Sequence, residues 1–308
     1  MKNFINISDH SSNDLRAIID EAKARKLKRQ NLNKSAPDED KPFEGKSMAM
    51  IFEKPSTRTR MSFDIAVKQL GGSSIILNPD GIHYGKGDES LKDTAKVLTE
   101  YVDIVMLRTS SHENLEEFGK HLNIPIINGL SDTGHPCQIM SDILTYEESN
   151  GNIEGKTVAW LGDGNNNMSN SLIEAASKFK FNLRIACPKK YSPSKKILIW
   201  AKSNKVNLIL TTKPDEAVKN SDCVMTDKWV SMNDKVNKKA KKKILRPFQV
   251  NKKLMSKANS DAIFMHCLPV GRGEEVTDDV IDGKQSVVWR QALNRVHAQK
   301  SIIKWCLD

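Results

Sequence analysis

Short apolar runs alternate with segments of helical periodicity along most of the chain, and this alternation limits the fold more than any other feature. In the first half, residues 48–52, 74–77, 104–108 and 124–128 read as strands, separated by helical segments near 57–70, 90–101 and 113–121. The second half repeats the pattern with strands at 157–162, 183–186, 206–210, 222–226 and 262–266 and helices at 169–180, 194–204 and 252–257. Strands separated by helices cannot pair as tight hairpins; they pair in parallel, with the helices packed on the sheet. The expected architecture is α/β: two doubly wound parallel-sheet domains joined by bridging helices. The 308 residues are enough for two domains. The first is expected over 1–148, opening with an amphipathic helix at 10–30, and the second over 149–290. A helix at 138–148 would bridge them. Folds of this kind hold ligands in clefts at the C-terminal ends of their strands.

The first such strand end carries the sharpest chemical signal. Residues 52–60 read FEKPSTRTR. Pro55 stops the strand, and Ser56 or Thr57 can cap a helix running through Met61, Phe63, Ile65, Val67 and Leu70. The unpaired N–H groups of a helix start favour an anion. Cations in a first turn oppose the helix dipole, so Lys54, Arg58 and Arg60 are costly there unless an anion offsets them. Arg58 also offers a planar fork suited to phosphate.

Charge and cysteine usage narrow the class. The net charge is +10, which fits anionic substrates or a lysine-rich surface as well as nucleic acid. Lysines cluster at 23–34 and 235–257 without interleaved aromatic residues or a nucleic-acid module, so both runs read as solvated helix faces. No apolar run reaches the ~18 residues of a membrane span. Five cysteines without CxxC pairing fit reduced thiols and a cytoplasmic setting.

Further candidates follow in chain order. A glycine-rich loop at 80–89 surrounds His83 and Lys86 and reads on its own as a surface turn. Arg108 closes the strand IVMLR, where α/β sheets present ligand groups. His135-Pro136-Cys137-Gln138 opens a helix, and Gly162-Asp163-Gly164 with Asn165, Asn166 and Asn167 follows a strand. The third glycine of a dinucleotide fingerprint is missing from the latter, which speaks against a nicotinamide-linked enzyme. The three asparagines offer neutral donors and acceptors for an amino acid's α-groups. A metal site from His135, Cys137, His266 and Cys267 lacks ligand spacing, and adjacent residues of an extended strand point to opposite sides.

The nine-residue FEKPSTRTR string resembles the carbamoyl-phosphate motif of the transcarbamylases. Other matches, spread over nearly the whole chain, narrow the likeness to the ornithine carbamoyltransferases. HPCQ is similar to the family pattern His-Pro-x-Gln. DKWVSM, residues 227–232, resembles the ornithine loop Asp-x-x-x-Ser-Met-Gly with Asn233 in place of the glycine, and HCLP at 266–269 carries the cysteine that separates ornithine from aspartate enzymes. LNRVH resembles Glu-Asn-Arg with Leu293 in place of the glutamate.

The resemblance implies transfer of the carbamoyl group of carbamoyl phosphate to the side-chain amine of L-ornithine. It places Ser56, Thr57, Arg58, Thr59 and His83 on the phosphate, and Arg108, His135 and Arg295 on the carbonyl oxygen as catalytic groups. Gln138 and the Leu268 carbonyl would accept from the carbamoyl NH2. Cys267, also catalytic, would lie near the amine and the carbamoyl group. Asn167, Asp227, Ser231 and Met232 would hold ornithine. It further implies that helix 291–308 packs back on the first domain, that neither metal nor organic cofactor is needed, and that the chain forms a homotrimer or a multiple of trimers. Rival readings are a sister transcarbamylase acting on aspartate, acetylated ornithine or putrescine, and a nucleic-acid-binding module.

Overall fold

The computed structural model of the protein describes residues 2–78, 89–230 and 237–308. The chain forms two compact units, Met1–Ser141 with Leu293–Asp308, and Asp142–Ala292.

Unit 1 opens with α1 (Ser12–Lys28) and β1 (Ser47–Phe52), followed by α2 (Thr57–Gln69), β2 (Ser73–Leu77), α3 (Leu91–Tyr101), β3 (Ile104–Arg108), α4 (His112–His121) and β4 (Ile126–Leu130). Helix α5 (Pro136–Asn150) then crosses the boundary between the units. All four strands are parallel, in the order β2-β1-β3-β4. The chain moves from β1 outward to β2 and then returns to the other side of β1 for β3. That reversal makes a switch point between β1 and β3, with Phe52 paired to Arg108 at its end. The buried face is aliphatic and aromatic, with Ala49, Ile51, Val105, Leu107, Leu115 and Phe118 in one cluster.

Unit 2 contains β5 (Thr157–Leu161), α6 (Asn167–Phe179), β6 (Asn182–Ala186), α7 (Lys195–Ser203), β7 (Leu208–Thr211), α8 (Pro214–Val218), β8 (Cys223–Thr226), α9 (Lys238–Leu245), α10 (Lys252–Met255), β9 (Ile263–His266) and α11 (Asp278–Ile281). Helix α12 (Val288–Leu307) begins here and finishes in unit 1. The five strands are parallel in the order β7-β6-β5-β8-β9, so the second switch point lies between β5 and β8. Ala159, Leu161, Val224, Phe264, Val276 and Ile281 form its core.

Three sequence expectations need correction. The fourth strand runs over Ile126–Leu130, not 124–128, because Pro125 has no N–H to donate to a ladder. The strand expected at 206–210 is Leu208–Thr211; the Val206 N–H instead bonds the Ala201 carbonyl at 2.9 Å and closes the exit from α7. The basic runs are not wholly solvated. Arg25 and Arg29 on and after α1 are buried against Asp38, which also accepts from Lys300 of α12 at 2.8 Å. Burial alone would raise the Asp38 carboxyl, but hydrogen bonds from Lys300, Arg29 and Arg25 hold it below its usual value. Breaking one partner out of such a cluster costs about 3–5 kcal/mol.

Candidate active site

The turn after β1 is built by its cap. Ser56 has extended backbone angles, and its hydroxyl accepts from the Thr59 N–H at 3.3 Å, which starts α2. A cap of this type stabilises a helix by about 1 kcal/mol. The first turn of α2 contains no acidic residue. Arg60 is diverted from it: its guanidinium donates to the Asn78 side chain and lies 5.4 Å from the centroid of the Phe52 ring. Arg58 remains half-buried in the turn. A cavity of about 270 Å³ beside the turn is lined by Pro55, Ser56, Thr57, Arg60 and Met61.

Thr59 is the centre of this arrangement. It is fully buried. Its hydroxyl oxygen accepts from Arg108 Nη1 at 3.3 Å and from Arg295 Nη2 at 2.9 Å. A threonine hydroxyl has two lone pairs and one proton. With both lone pairs facing cationic donors, the O–H is left to donate elsewhere. Arg108 comes from the end of β3 and Arg295 from the unit 1 part of α12. The turn after β3 is fixed by Glu53, whose N–H donates to the Arg108 carbonyl at 3.0 Å. The Glu53 carboxylate accepts from the Thr109 hydroxyl at 2.6 Å and the Ser110 N–H at 3.2 Å. Nothing in the local pattern around Glu53 announces this role, because its partners come from a different strand.

His135 is buried at the start of α5, its carbonyl accepting from the Gln138 N–H at 3.1 Å. The preceding turn is held by Ser131, which takes the Gly134 N–H at 3.2 Å and faces His112 Nδ1 at 2.8 Å. Burial, and then the positive charges of Arg295, Arg108 and Arg58, keep His135 well below the usual histidine range. The imidazole is therefore neutral at pH 7, and it shares one field with the three arginines. Gln138, one turn further along α5, is also buried. Ser56, Thr57, Arg58, Thr59, Arg108, His135, Gln138 and Arg295 thus come from four separated stretches of unit 1. His83 lies outside the described residues.

In unit 2, the chemistry gathers at the C-terminal ends of β5, β8 and β9. Asp227 follows β8, and its Oδ1 accepts from the Lys228 N–H at 2.7 Å and from the Cys267 thiol at 3.1 Å. Cys267 follows β9, where Leu268 adopts a positive φ of 58° and precedes a cis proline bond. Strand β9 ends at His266, and an Asp227 oxygen, a His266 nitrogen and Cys267 Sγ lie within 4.8 Å of one another. The expectation that His266 and Cys267 diverge therefore fails. Yet His266 Nδ1 accepts from the Leu268 N–H at 2.8 Å, so Nε2 carries the proton and donates to buried Glu275 at 3.2 Å. Both ring nitrogens are engaged in shaping the HCLP turn, and this triad does not present metal-ligand chemistry.

After β5, Gly162 has φ 114°, a conformation that favours glycine, and a side chain there would meet the Trp229 indole nitrogen at 3.3 Å. Asn166 caps α6, its side chain accepting from the Ser169 N–H at 2.8 Å. Asn165 is exposed and Asn167 is the first residue of α6. Of the three asparagines, Asn166 has its side-chain oxygen committed to the helix. Ser231 and Met232, along with Asn233, lie outside the described residues.

Two parallel sheets, each with its functional groups at the strand ends beside its switch point, and an arginine-rich turn poised for an anion define a class. Residues 2–148 match the carbamoyl-P binding domain and residues 154–306 the Asp/Orn binding domain of the aspartate/ornithine carbamoyltransferases, and the chain belongs to that family. It is 50% identical over 308 residues to an ornithine carbamoyltransferase of Brucella suis biovar 1, covering 100% of this chain and 96% of that protein. Among solved structures, the ornithine carbamoyltransferase of Pyrococcus furiosus superposes with a TM-score of 0.91 at 42% identity, covering 98% of this chain and 96% of the other. The anabolic ornithine carbamoyltransferase of Campylobacter jejuni gives a TM-score of 0.91 at 36% identity, covering 99% of each chain.

Proposed function

We propose that the chain is an ornithine carbamoyltransferase that forms L-citrulline and phosphate from carbamoyl phosphate and L-ornithine, within arginine metabolism. The observation that carries this reading is the Thr59 hydroxyl, which takes two arginines on its lone pairs and keeps its proton to give. Ser56, Thr57 and Arg58 hold the phosphate at the helix start, and Gln138 accepts from the carbamoyl NH2. Thr59, Arg108, Arg295 and neutral His135 surround the carbonyl oxygen. These groups are preorganised donors for the oxyanion that forms when a neutral amine attacks the carbonyl carbon. Collapse of the tetrahedral intermediate breaks the carbon–oxygen bond to phosphate, and the nitrogen loses its extra proton.

The acceptor is assigned by the pair at the ends of β8 and β9. The Asp227 carboxylate attracts an ornithine ammonium and repels the additional carboxylate of aspartate. Cys267 fixes that carboxylate by donating to it. Asn167 meets the α-groups, and the Leu268 carbonyl accepts from the carbamoyl group. Neither a metal nor an organic cofactor has a task in this scheme.

A homotrimer, or a multiple of trimers, fits the outer surface of unit 1. Edge strand β2 and helices α2 and α3 leave Ile75, Ile76, Met61, Val97 and Tyr101 exposed, side chains that a contact with another subunit would bury. A cytoplasmic setting fits the five free cysteines, and among the described residues no helix is long and apolar enough to cross a membrane. The test is a citrulline assay on purified protein with ornithine, acetylated ornithine, putrescine and aspartate as acceptors. Ornithine is expected to have the highest kcat/KM, and a higher value for any other acceptor overturns the assignment. Light scattering checks the assembly against three times the chain mass of 34.6 kDa.

A further inference from the structure

We propose that Lys241 is a positioning residue for the acceptor amino acid, acting through Asp163 to set the turn that presents Asn165 and Asn167. The proposal rests on the assignment of that turn to the ornithine α-groups. Helix α9 has the sequence KKAKKKIL, and a run of this composition would ordinarily stay in solvent. Lys238, Lys239 and Lys243 do so, and Lys242 pairs at the surface with Glu274. Lys241 does not. Together with Leu245, one turn along, it forms the buried stripe of the helix. Its Nζ lies 2.6 Å from Asp163 Oδ2, with both side chains 7% exposed, and 5.2 Å from the centroid of the Tyr191 ring.

The other end of Asp163 explains what this contact does. Asp163 Oδ1 accepts from the Asn165 N–H at 2.9 Å, and the Asp163 carbonyl accepts from the Trp160 indole N–H at 2.9 Å. Gly164, next along, donates to the Tyr191 carbonyl at 2.9 Å and accepts from the Ser169 hydroxyl at 2.9 Å. The path from Gly162 to Asn167 is therefore pinned by one carboxylate with two jobs. One oxygen shapes the asparagine turn, and the other is held by Lys241. If the lysine is removed, the carboxylate is free to rotate towards water, and the Asn165 amide loses a fixed acceptor. Trp229, Val230 and Leu245 form a small apolar cluster against Tyr191, so the stretch after Asp227 packs on the same support. Lys241 thus reaches the acceptor-binding turn without touching the acceptor.

Positioning and simple stability make different kinetic demands. Lys241→Met is expected to raise the ornithine KM about tenfold, roughly 1.4 kcal/mol, while the carbamoyl phosphate KM moves by less than about twofold, a split that general destabilisation does not produce. Lys241→Arg keeps the charge and is expected to stay within about threefold of the parent ornithine KM. Because Lys241→Met leaves Asp163 buried without its cation, a second variant, Asp163→Asn with Lys241→Met, removes the stranded charge. It is expected to show the same raised ornithine KM. An unchanged ornithine KM in either folded variant overturns the proposal. So does failure of both to fold while Lys241→Arg folds, which assigns the pair to stability alone. The parent protein separates this outcome from the underlying reading: a parent that does not carbamoylate ornithine refutes the function, whereas an active parent with an unaffected Lys241→Met refutes only the role of Lys241.

Discussion

Replacing Thr59 by valine isolates the contribution of one hydroxyl. The substitution exchanges O–H for a methyl group of similar size at a position with no exposure, so the packing of α2 on its sheet is preserved. What is lost is an acceptor shared by two guanidinium groups, at 2.9 Å from Arg295 and 3.3 Å from Arg108. A hydrogen bond to a charged group is worth about 1.5–3 kcal/mol. Counting the shorter contact near the middle of that range and the longer one below its lower end gives roughly 3 kcal/mol, equivalent to about 150-fold in rate when expressed in the transition state. Carbamoyl phosphate affinity should fall much less, since Ser56, Thr57 and Arg58 are untouched. Citrulline formation under saturating substrates gives kcat, calorimetric titration gives the carbamoyl phosphate Kd, and circular dichroism checks the fold. A folded variant with kcat/KM within about threefold of the parent would refute the reasoning. A loss confined to Kd, with kcat intact, would move Thr59 from the oxyanion to the ground-state phosphate.

Arg58→Gly is expected to abolish measurable turnover and weaken carbamoyl phosphate by at least about tenfold while circular dichroism is unchanged, because charge-assisted phosphate bonds are lost; unchanged carbamoyl phosphate affinity in titration would count against the phosphate assignment. Asp227→Asn should raise the ornithine KM and lower turnover, with a combined loss in kcat/KM of about 10–150-fold, the range for one hydrogen bond to a charged group; steady-state kinetics that match the parent would remove Asp227 from the acceptor site. Acid should destabilise the fold through His135 and His297, both pushed down chiefly by burial, the latter to about 3. Each stays neutral when folded but takes a proton when unfolded, so stability is fully present above about pH 6.5 and declines below it, by about 2 kcal/mol between pH 7 and pH 5 for His297 and in the same direction for His135. Denaturant midpoints at the two pH values measure this, and equal midpoints would contradict it.

What the sequence made legible was whatever depends on neighbours along the chain. FEKPSTRTR carried its own strand end, proline stop, cap and cations, and the structure adds only that Ser56 is the cap and that Arg60 turns away to Asn78 and Phe52. The strand-helix alternation likewise followed from local periodicity. Misreadings arose where a distant partner decides. The run at 74–77 reads only as an apolar strand; that β2 is an edge strand with Ile75 and Ile76 exposed is not legible there, because edge position is set by the order of strands and not by their composition. Lys241 looks like any lysine in a basic run until Asp163 is brought beside it. Glu53 and Glu275 bind across loops from other strands, and no spacing rule finds such pairs.

The return of α12 to unit 1 has a consequence for how the chain comes into being. Residues Asp142–Ala292 are contiguous, whereas unit 1 needs Leu293–Asp308 to be complete. During synthesis, Asp38, Arg25 and Arg29 emerge early, but Lys300, the third cation on the Asp38 carboxylate, emerges only after the whole of unit 2. Arg295, the second donor to Thr59, arrives equally late. The first unit in sequence order is thus the second to be finished. Until residues 293–308 have emerged, it lacks the Lys300 contact to Asp38 and one of the two arginines on Thr59, a state in which chaperone capture and proteolysis compete with folding.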